Sequence, residues 1–269
     1  MRTAASAKFA SYGFSLIELA VVLFIIALLM GGLLPTISSQ IAQKNSNETI
    51  KQLDDIQQAL IGYAVINGRL PCPASDTSNG LEAPLPVTGT CTNFYNGFVP
   101  AATLGIPTSV DNQGRQGFAV DGWGNRIRYA VTKVNAYAFT SINGMKTAIT
   151  AAGGDFSTLT PDLYVCASSP NPLTPSKNMT SSPWCGTATI LTDKAPALIY
   201  STGKNGGYGG SSADELANAN PYANPTAIPN SYEDKVFVSH DQTPTFDDLV
   251  IWISPNILIN RMVTAGVLP

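Results

Sequence analysis

The sequence Gly13-Phe14-Ser15-Leu16-Ile17-Glu18-Leu19 opens an apolar run that continues to Leu34. The 21 residues from Phe14 to Leu34 include no Lys, Arg, Asp or Asn, and Glu18 is their one charged residue. A helix of that length reaches about 30 Å, the thickness of one bilayer core. An ionised carboxylate near the start of such a helix needs a partner, because an unpaired charge in lipid costs several kcal/mol. The stretch therefore predicts a membrane span in which Glu18 is functional.

These residues resemble the processing motif of type IV pilins and of the pseudopilins of type II secretion. The resemblance implies that a prepilin peptidase cuts after Gly13 and that Phe14 becomes the N-methylated first residue. It also implies that Glu18 pairs with the amine of Phe14 on a neighbouring subunit during assembly. Pro35 falls where many pilins have a proline that bends the helix. An ordinary cleaved signal peptide fits less well, since the apolar run is too long and no small-x-small site follows it.

The positive charges indicate the orientation of this span. Arg2 and Lys8 precede it, and the first basic residue after it is Lys44. We therefore expect a single pass through the inner membrane, with a cytoplasmic N-terminus and an exported, periplasmic head that later joins a fibre. The predicted domains are a leader at 1–13, a transmembrane helix at 14–34, the amphipathic half of the same helix at 35–68, and a globular β domain at 69–269.

The segment after Pro35 has the period of an amphipathic helix. Apolar residues recur at intervals of three and four, with charged and polar residues between them. The members of this apolar stripe are Ile37, Ile41, Ile50, Leu53, Ile56, Leu60 and Ala64. We expect the helix to end near Asn67-Gly68 and its second half to pack on a sheet.

The rest of the chain reads as turns and short strands. Cys72–Pro107 is rich in turn residues, and Asp121–Asn125 is a turn before a strand at Arg126–Thr132, where apolar residues alternate with polar or small ones. Ser254 and Pro255 can open a short C-terminal helix that Gly266 ends. Further predicted strands are Leu163–Ala167, Ala197–Ser201, Lys235–Ser239 and Leu249–Ile253. The predicted fold class is α+β, with a long N-terminal helix on an antiparallel sheet.

Four cysteines, Cys72, Cys91, Cys166 and Cys185, form no C-x-x-C motif and have no neighbouring histidine. Disulfides are therefore favoured over a metal site. Three pairings are possible. We favour Cys72–Cys91 with Cys166–Cys185, because each closes a Pro/Ser/Thr/Asn-rich loop of the same separation. An exported head would lie in the oxidising compartment that such bridges need.

Three later segments, Asp121–Asn125, Leu198–Gly206 and Asp247–Trp252, resemble the C-terminal half of the major pseudopilin of type II secretion. The chain is much longer than that subunit and has extra cysteines, which favours a minor or specialised subunit.

In that family a calcium ion ties the last loop to the sheet, and hard cations take six to eight oxygen ligands. There is no D-x-D-x-D-G loop here, and Asp, Asn and Gly also populate ordinary solvated turns. The oxygen donors in the corresponding stretch are Asn205, Asp214, Glu215, Asn218, Asp247 and Asp248.

Charge and motifs exclude several function classes. Loss of the leader would remove Arg2 and Lys8 from the 15 basic residues, leaving a net negative surface against 18 acidic ones, which does not favour nucleic acid. His240 is the single histidine, and no G-x-S-x-G, H-E-x-x-H or Walker lysine motif occurs. We therefore expect that the protein is not an enzyme.

Two further interpretations stay open beside a structural fibre subunit. The head could be a binding module displayed at a fibre tip, such as an adhesin, a receptor for secreted substrates or a DNA-uptake subunit, using the disulfide-closed loops. Alternatively, the chain could be a merely anchored periplasmic protein. A pilus and a secretion pseudopilus use the same leader and helix, so both remain possible fibres.

Overall fold

The computed structural model describes residues 15–84, 89–169, 184–206, 212–219 and 235–269. The chain divides into two compact units, Met1–Lys44 and Asn45–Pro269. Helix α1 runs from Leu16 to Asn67 and therefore has residues in both units. Gly68 follows it with a φ of 67°, the left-handed conformation that commonly ends a helix. The predicted end of the helix is thus confirmed.

The apolar stripe of α1 is buried in its last turns. Leu53, Ile56, Leu60 and Ala64 all lie in the main hydrophobic core. Ile41 and Ile50, which the sequence placed in the same stripe, are exposed. The packing of α1 therefore begins later along the helix than its periodicity indicates.

Within the described residues, seven strands form two sheets. The first sheet has four antiparallel strands in the order β1-β2-β5-β7, and the second has three in the order β4-β3-β6, with β3 and β6 parallel. The predicted α+β class with an antiparallel sheet is confirmed, and the parallel pair is an addition that the sequence pattern did not indicate. The strands are β1 (Gly97–Phe98), β2 (Arg128–Val131), β3 (Leu163–Cys166), β4 (Ile190–Ala195), β5 (Ala197–Ser201), β6 (Val236–Val238) and β7 (Leu249–Ile253).

The first sheet is buried on both faces. Tyr129 and Ile199 point to the core that contains α1, whereas Ala130 and Leu198 point to a second core shared with β3 and β6. Because successive side chains of a strand point to opposite faces, all five residues of β5 are buried. The second unit, Asn45–Pro269, which we call the head, therefore has three layers: the helix, the four-stranded sheet and the three-stranded sheet.

Shorter helices complete the head: α2 (Ala101–Leu104), α3 (Val134–Tyr137), α4 (Gly144–Ala151), α5 (Ala213–Ala219) and α6 (Pro255–Thr264), with a 3-10 turn at Phe156–Thr158. In α6, Leu258 and Met262 are buried in the main core, while Ile257 is exposed. Ser254 stands at the N-cap, but its side chain makes no capping hydrogen bond, contrary to expectation. Pro255 supplies the fixed φ of a first helical residue instead.

Both local disulfides are present, Cys72–Cys91 and Cys166–Cys185. The first lies beside a buried ion pair that contacts the end of α1 through Tyr63. Arg69 donates from Nη1 and Nη2 to the two carboxylate oxygens of Glu82, each at 2.8 Å. Glu82 also accepts hydrogen bonds from the Cys72 N–H and from the hydroxyl of Tyr63 on α1. These contacts hold the loop after α1 against the end of the helix.

Candidate functional site

The described part of the N-terminal motif begins at Ser15; Gly13 and Phe14 lie outside the described residues. Glu18 stands in the first turn of α1 and is exposed. The N–H and hydroxyl of Ser15 both donate to Glu18 Oε2 at 3.2 Å, and the Glu18 N–H donates to Ser15 Oγ at the same distance. This reciprocal arrangement is a capping box, which the S-x-x-E spacing could have revealed. Glu18 therefore caps its own helix as well as supplying a charge.

The side chains after Glu18 form an exposed apolar surface. Every residue from 15 to 28 is exposed, including Leu16 at 89% and Ile17 at 74%. Contiguous apolar surface of this kind marks a site of contact with lipid or protein. Among the described residues, none of the helices is sufficiently long and apolar to cross a membrane. Pro35 lies within α1, its side chain is outside the described part, and the bend there stays a prediction.

Three carboxylates from distant parts of the sequence meet in the head. Glu215 comes from α5, and Asp247 and Asp248 come from the segment that enters β7. One oxygen of each lies within 4.8 Å of the others. Glu215 and Asp248 are buried, so water cannot screen the repulsion between them. We call these three residues the acidic cluster.

The loop after β5 holds Asp247 in place. The Lys204 N–H donates to Asp247 Oδ2 at 2.9 Å, and the Asp247 N–H donates to Glu215 Oε1 at 3.2 Å. Gly203 lies so close that a Cβ there would stand 2.4 Å from Asp247 Oδ1. The amide nitrogen of Asn205 donates to the same Glu215 oxygen at 2.9 Å. The loop therefore requires glycine at 203 to approach the carboxylate.

Asp248 depends on Asn218 of α5. The side-chain amide of Asn218 donates to Asp248 Oδ2 at 2.9 Å, and Asn218 also exchanges two hydrogen bonds with the backbone of Val238 in β6. Burial, together with the carboxylates of Asp247 and Glu215, raises the pKa of Asp248 to about 8, although the bond from Asn218 acts in the opposite direction. The cluster is thus strained by like charge while its geometry is fixed by hydrogen bonds.

The cluster fits a hard cation. Its members offer carboxylate oxygens, the ligand type that calcium prefers. Within the described residues, Asp247 Oδ1 is buried and has no hydrogen-bond partner, which leaves an acceptor for an ion. Asp214, also among the expected donors, is directed elsewhere, with its Oδ2 3.2 Å from Nε2 of His240. The structure therefore brings Glu215, Asp247 and Asp248 together, with Asn205 and Asn218 bonded to them.

His240 contributes no catalytic arrangement within the described part of the chain. Its ring stacks on Phe246 at 3.9 Å between centroids, and Nδ1 lies 2.8 Å from the Asp241 carbonyl. Both ring nitrogens thus have partners that position the ring beside the loop entering β7.

Comparison with known proteins identifies one segment. The model of the prokaryotic N-terminal methylation motif matches residues 8–34, which agrees with the resemblance to type IV pilins and pseudopilins. This motif is typical of structural subunits rather than of enzymes. No curated protein and no solved structure gave a significant match to the chain.

Proposed function

We propose that this chain is a pilin-like structural subunit of a type IV pilus or of a type II secretion pseudopilus. The observation that carries the proposal is the methylation motif at residues 8–34, with Gly13, Phe14 and Glu18 in the expected order. A prepilin peptidase removes residues 1–13 and the new N-terminus at Phe14 is methylated. Residues 14–34 anchor the precursor in the inner membrane, residues 35–68 continue the helix, and 69–269 form the globular β domain of the exported head.

Assembly uses the charge of Glu18. The methylated amine of Phe14 on a neighbouring subunit pairs with this carboxylate inside a bundle of apolar helices. Leaving either charge unpaired in such an environment costs about 3–5 kcal/mol, so the contact fixes the register between subunits. The exposed apolar side chains between residues 16 and 28 support this proposal, because they offer the lateral surface that a bundle needs.

The cysteines support export. All four are paired in disulfides, and disulfides persist in oxidising compartments such as the periplasm. The head therefore faces the periplasm before the subunit enters a fibre.

The test combines processing with assembly in cells that contain the natural partner subunits. The N-terminal peptide mass of the membrane-extracted protein should correspond to a chain beginning at N-methylated Phe14. Glu18→Gln keeps a capping residue at this position but removes the charge, so it should be processed and then excluded from fibres. Glu48→Gln, on an exposed position of the same helix, is the matched control and should be incorporated normally. An uncleaved chain, or normal incorporation of Glu18→Gln, would contradict the proposal.

A second proposal concerns the acidic cluster, which we propose holds a calcium ion through Glu215, Asp247 and Asp248. When bound, the ion would neutralise the repulsion among the carboxylates and link α5 to the start of β7. The buried, unpartnered oxygen of Asp247 favours this. Calcium at about one hundred times its dissociation constant should stabilise the head by about 2.7 kcal/mol, read as a rise in melting temperature. Asp247→Asn should abolish most of that rise, whereas Asp193→Asn on exposed β4 should not.

A further inference from the structure

The acidic cluster is connected to the first turns of α1 in the second unit by a side-chain bridge. The backbone carbonyl of Asp247 accepts a hydrogen bond from Gln242 Nε2 at 2.8 Å. The other end of the same amide, Gln242 Oε1, accepts from the hydroxyl of Ser46 at 3.1 Å. Ser46 is buried, although it lies on a turn of α1 most of whose neighbours are exposed. One glutamine thus joins the cluster to α1 directly.

A second bridge runs through the loop after β5. Ser201 Oγ accepts from the N–H of Gly203, which packs on Asp247, and donates to Asp121 Oδ2 at 2.6 Å. Asp121 opens the turn whose next residue, Gly122, donates its N–H to Thr49 Oγ1 at 2.9 Å. Asn125, at the end of that turn, donates to the Gly203 carbonyl at 2.7 Å. The turn is therefore held between the cluster and α1.

Both bridges end within one turn of α1. Ser46 and Thr49 are buried, and the Thr49 hydroxyl also donates to the carbonyl of Asn45, against which Gly122 packs. Asn45 is also where the second compact unit begins. The residues that receive the two bridges are thus the first residues of α1 that belong to the head.

We infer that cation binding at the acidic cluster and the docking of residues 45–49 of α1 are thermodynamically coupled. This inference rests on the proposed calcium site. Release of residues 45–49 would free Gln242 and the Asp121 turn, and with them the carbonyl of Asp247 and the position of Gly203. The carboxylates would then lose the geometry that a cation needs. Coupling is reciprocal, so the cation must strengthen docking by the factor by which docking strengthens cation binding.

The physical reason is that like charge among the three acidic side chains opposes the close approach that their hydrogen bonds maintain, and a cation would remove this opposition. The loop segments 203–205 and 242–248 carry the backbone and side-chain atoms that position the three carboxylates. If these segments relax apart, Gln242 and Ser201 no longer face their partners. The start of the head's helix then loses both side-chain bridges. The cation therefore sets where along α1 the stable part of the head begins.

Hydrogen exchange on the full chain in detergent tests this inference, with added Ca²⁺ compared with EGTA. Opening of residues 45–49 should require loss of the ion, so calcium at about one hundred times its dissociation constant should slow their exchange about a hundredfold. Amides of residues 56–64, which pack on the main core, should respond less. Calorimetric titration of the same sample with Ca²⁺ gives the dissociation constant independently.

Variants of α1 test the coupling without changing the residues of the acidic cluster. Ser46→Ala removes the α1 end of the first bridge without touching the cluster, and Ser46→Ala with Thr49→Val removes both ends. We expect calcium to bind these proteins more weakly and to protect residues 45–49 less, by matching factors. Gln57→Ala is the control, because Gln57 bonds to the Trp252 carbonyl on β7 and not to the cluster.

The outcomes distinguish the inference from the proposal beneath it. Calcium binding to the wild-type chain without slower exchange at residues 45–49 would overturn the coupling and leave the calcium site standing. Absence of calcium binding would overturn both. Ser46→Ala alone is the safer variant, since alanine is a good helix former and the double variant leaves the Gly122 N–H without its acceptor.

Discussion

The carboxylate of Asp111 lies among donors that stabilise its ionised form. It accepts hydrogen bonds from the N–H groups of Gln113 and Arg115 and from the guanidinium of Arg115. Burial alone would raise the pKa of Asp111, but these donors together hold it below its usual value. Because the pKa is lower in the folded than in the unfolded chain, the stabilisation is present above the unfolded value of about 3.9 and is lost as the pH falls through the folded value.

Replacement of this residue should therefore change the acid response of the head. Asp111→Asn should lower the free energy of unfolding by about 1–2 kcal/mol near neutral pH. The difference from wild type should shrink as the pH falls from about 4 through the lowered pKa of the folded Asp111 carboxylate, because the group is then neutral in both the folded and the unfolded wild-type chain. Urea unfolding of the full chain in detergent at a series of pH values measures both effects. A difference that stays constant down to acid pH would show that the charge of Asp111 is not the cause. Asp193→Asn, on the exposed face of β4, is the control.

Single residues differ in how far the sequence could predict their roles. Glu18 stands out in the sequence because it is the one charged residue of an apolar run, and Asp247 and Asp248 stand out because they are adjacent in a segment with a resemblance. The sequence also named Glu215 and Asn218 among the oxygen donors, but it could not show which donors meet, since both residues reach Asp247 and Asp248 from α5 and no local pattern links that helix to β7. Asp214, only one residue from Glu215, turns to His240 instead.

The turn at Asp121–Asn125 illustrates how an element is positioned by close backbone approach. A Cβ on Gly122 would lie 2.5 Å from the backbone oxygen of Asn45 in α1. The backbone of a helix cannot yield as a flexible side chain can, so Gly122→Ala must push the turn away from α1. Overpacking of this kind typically costs about 1–3 kcal/mol. The Gly122–Thr49 hydrogen bond would be lost with it.

A glycine inside α1 provides the opposite case. Gly62 is helical and a Cβ there meets nothing within 4 Å, so Gly62→Ala should stabilise the head by about 0.5–1 kcal/mol through helix propensity. Thermal unfolding of the two variants should therefore shift in opposite directions. Equal shifts in melting temperature would mean that the close approach of the turn to α1 does not exclude a side chain at residue 122. The comparison isolates the contact between two elements from the general cost of adding a methyl group.

Elements with a clear period were predictable, and elements without one were not. The bounds of β5 and β7 agree with the prediction, whereas β3 is shorter than predicted at its C-terminal end and β6 is shorter at both ends. The sequence did not indicate β4, because most of its residues are exposed on both faces and it includes Asp193 and Lys194. It also missed the left-handed turn at Asn135–Tyr137, a conformation that non-glycine residues rarely adopt consecutively.

At the scale of the whole molecule, the three layers of the head explain why more strand residues are buried than the alternation of apolar and polar residues indicates. Arg128 and Ala130 occupy the face of β2 that a two-layer domain would expose, but both are buried, and Ala130 lies in the core shared with β3 and β6. That sheet depends on long-range pairing of β3 with β6, which lie far apart in sequence. Such pairing carries no local signature, so the sequence predicts strands at β3 and β6 but does not predict that they form a second sheet.

The two disulfides allow the layers to be compared. Each closes a loop of the same sequence separation, 19 residues, so the chain-entropy contribution of each should be equal, at about 3 kcal/mol. Their surroundings differ. Cys72 and Cys91 belong to the main core that contains α1, and the Cys72 N–H donates to Glu82, whereas Cys166 and Cys185 belong to a small separate cluster.

Removal of the Cys72–Cys91 bridge should consequently destabilise the head more than removal of the other. Replacing both cysteines of a pair by alanine removes equal sulfur volume in each case, so the difference reports the packing around the bridge. We expect Cys72→Ala/Cys91→Ala to lose about 3 kcal/mol from chain entropy plus a packing term from the main core, and Cys166→Ala/Cys185→Ala to lose little beyond the entropy term. Urea unfolding of both variants in the same calcium-containing buffer gives the two values. A larger loss for the Cys166–Cys185 pair would mean that the second sheet, rather than the layer containing α1, limits the stability of the head.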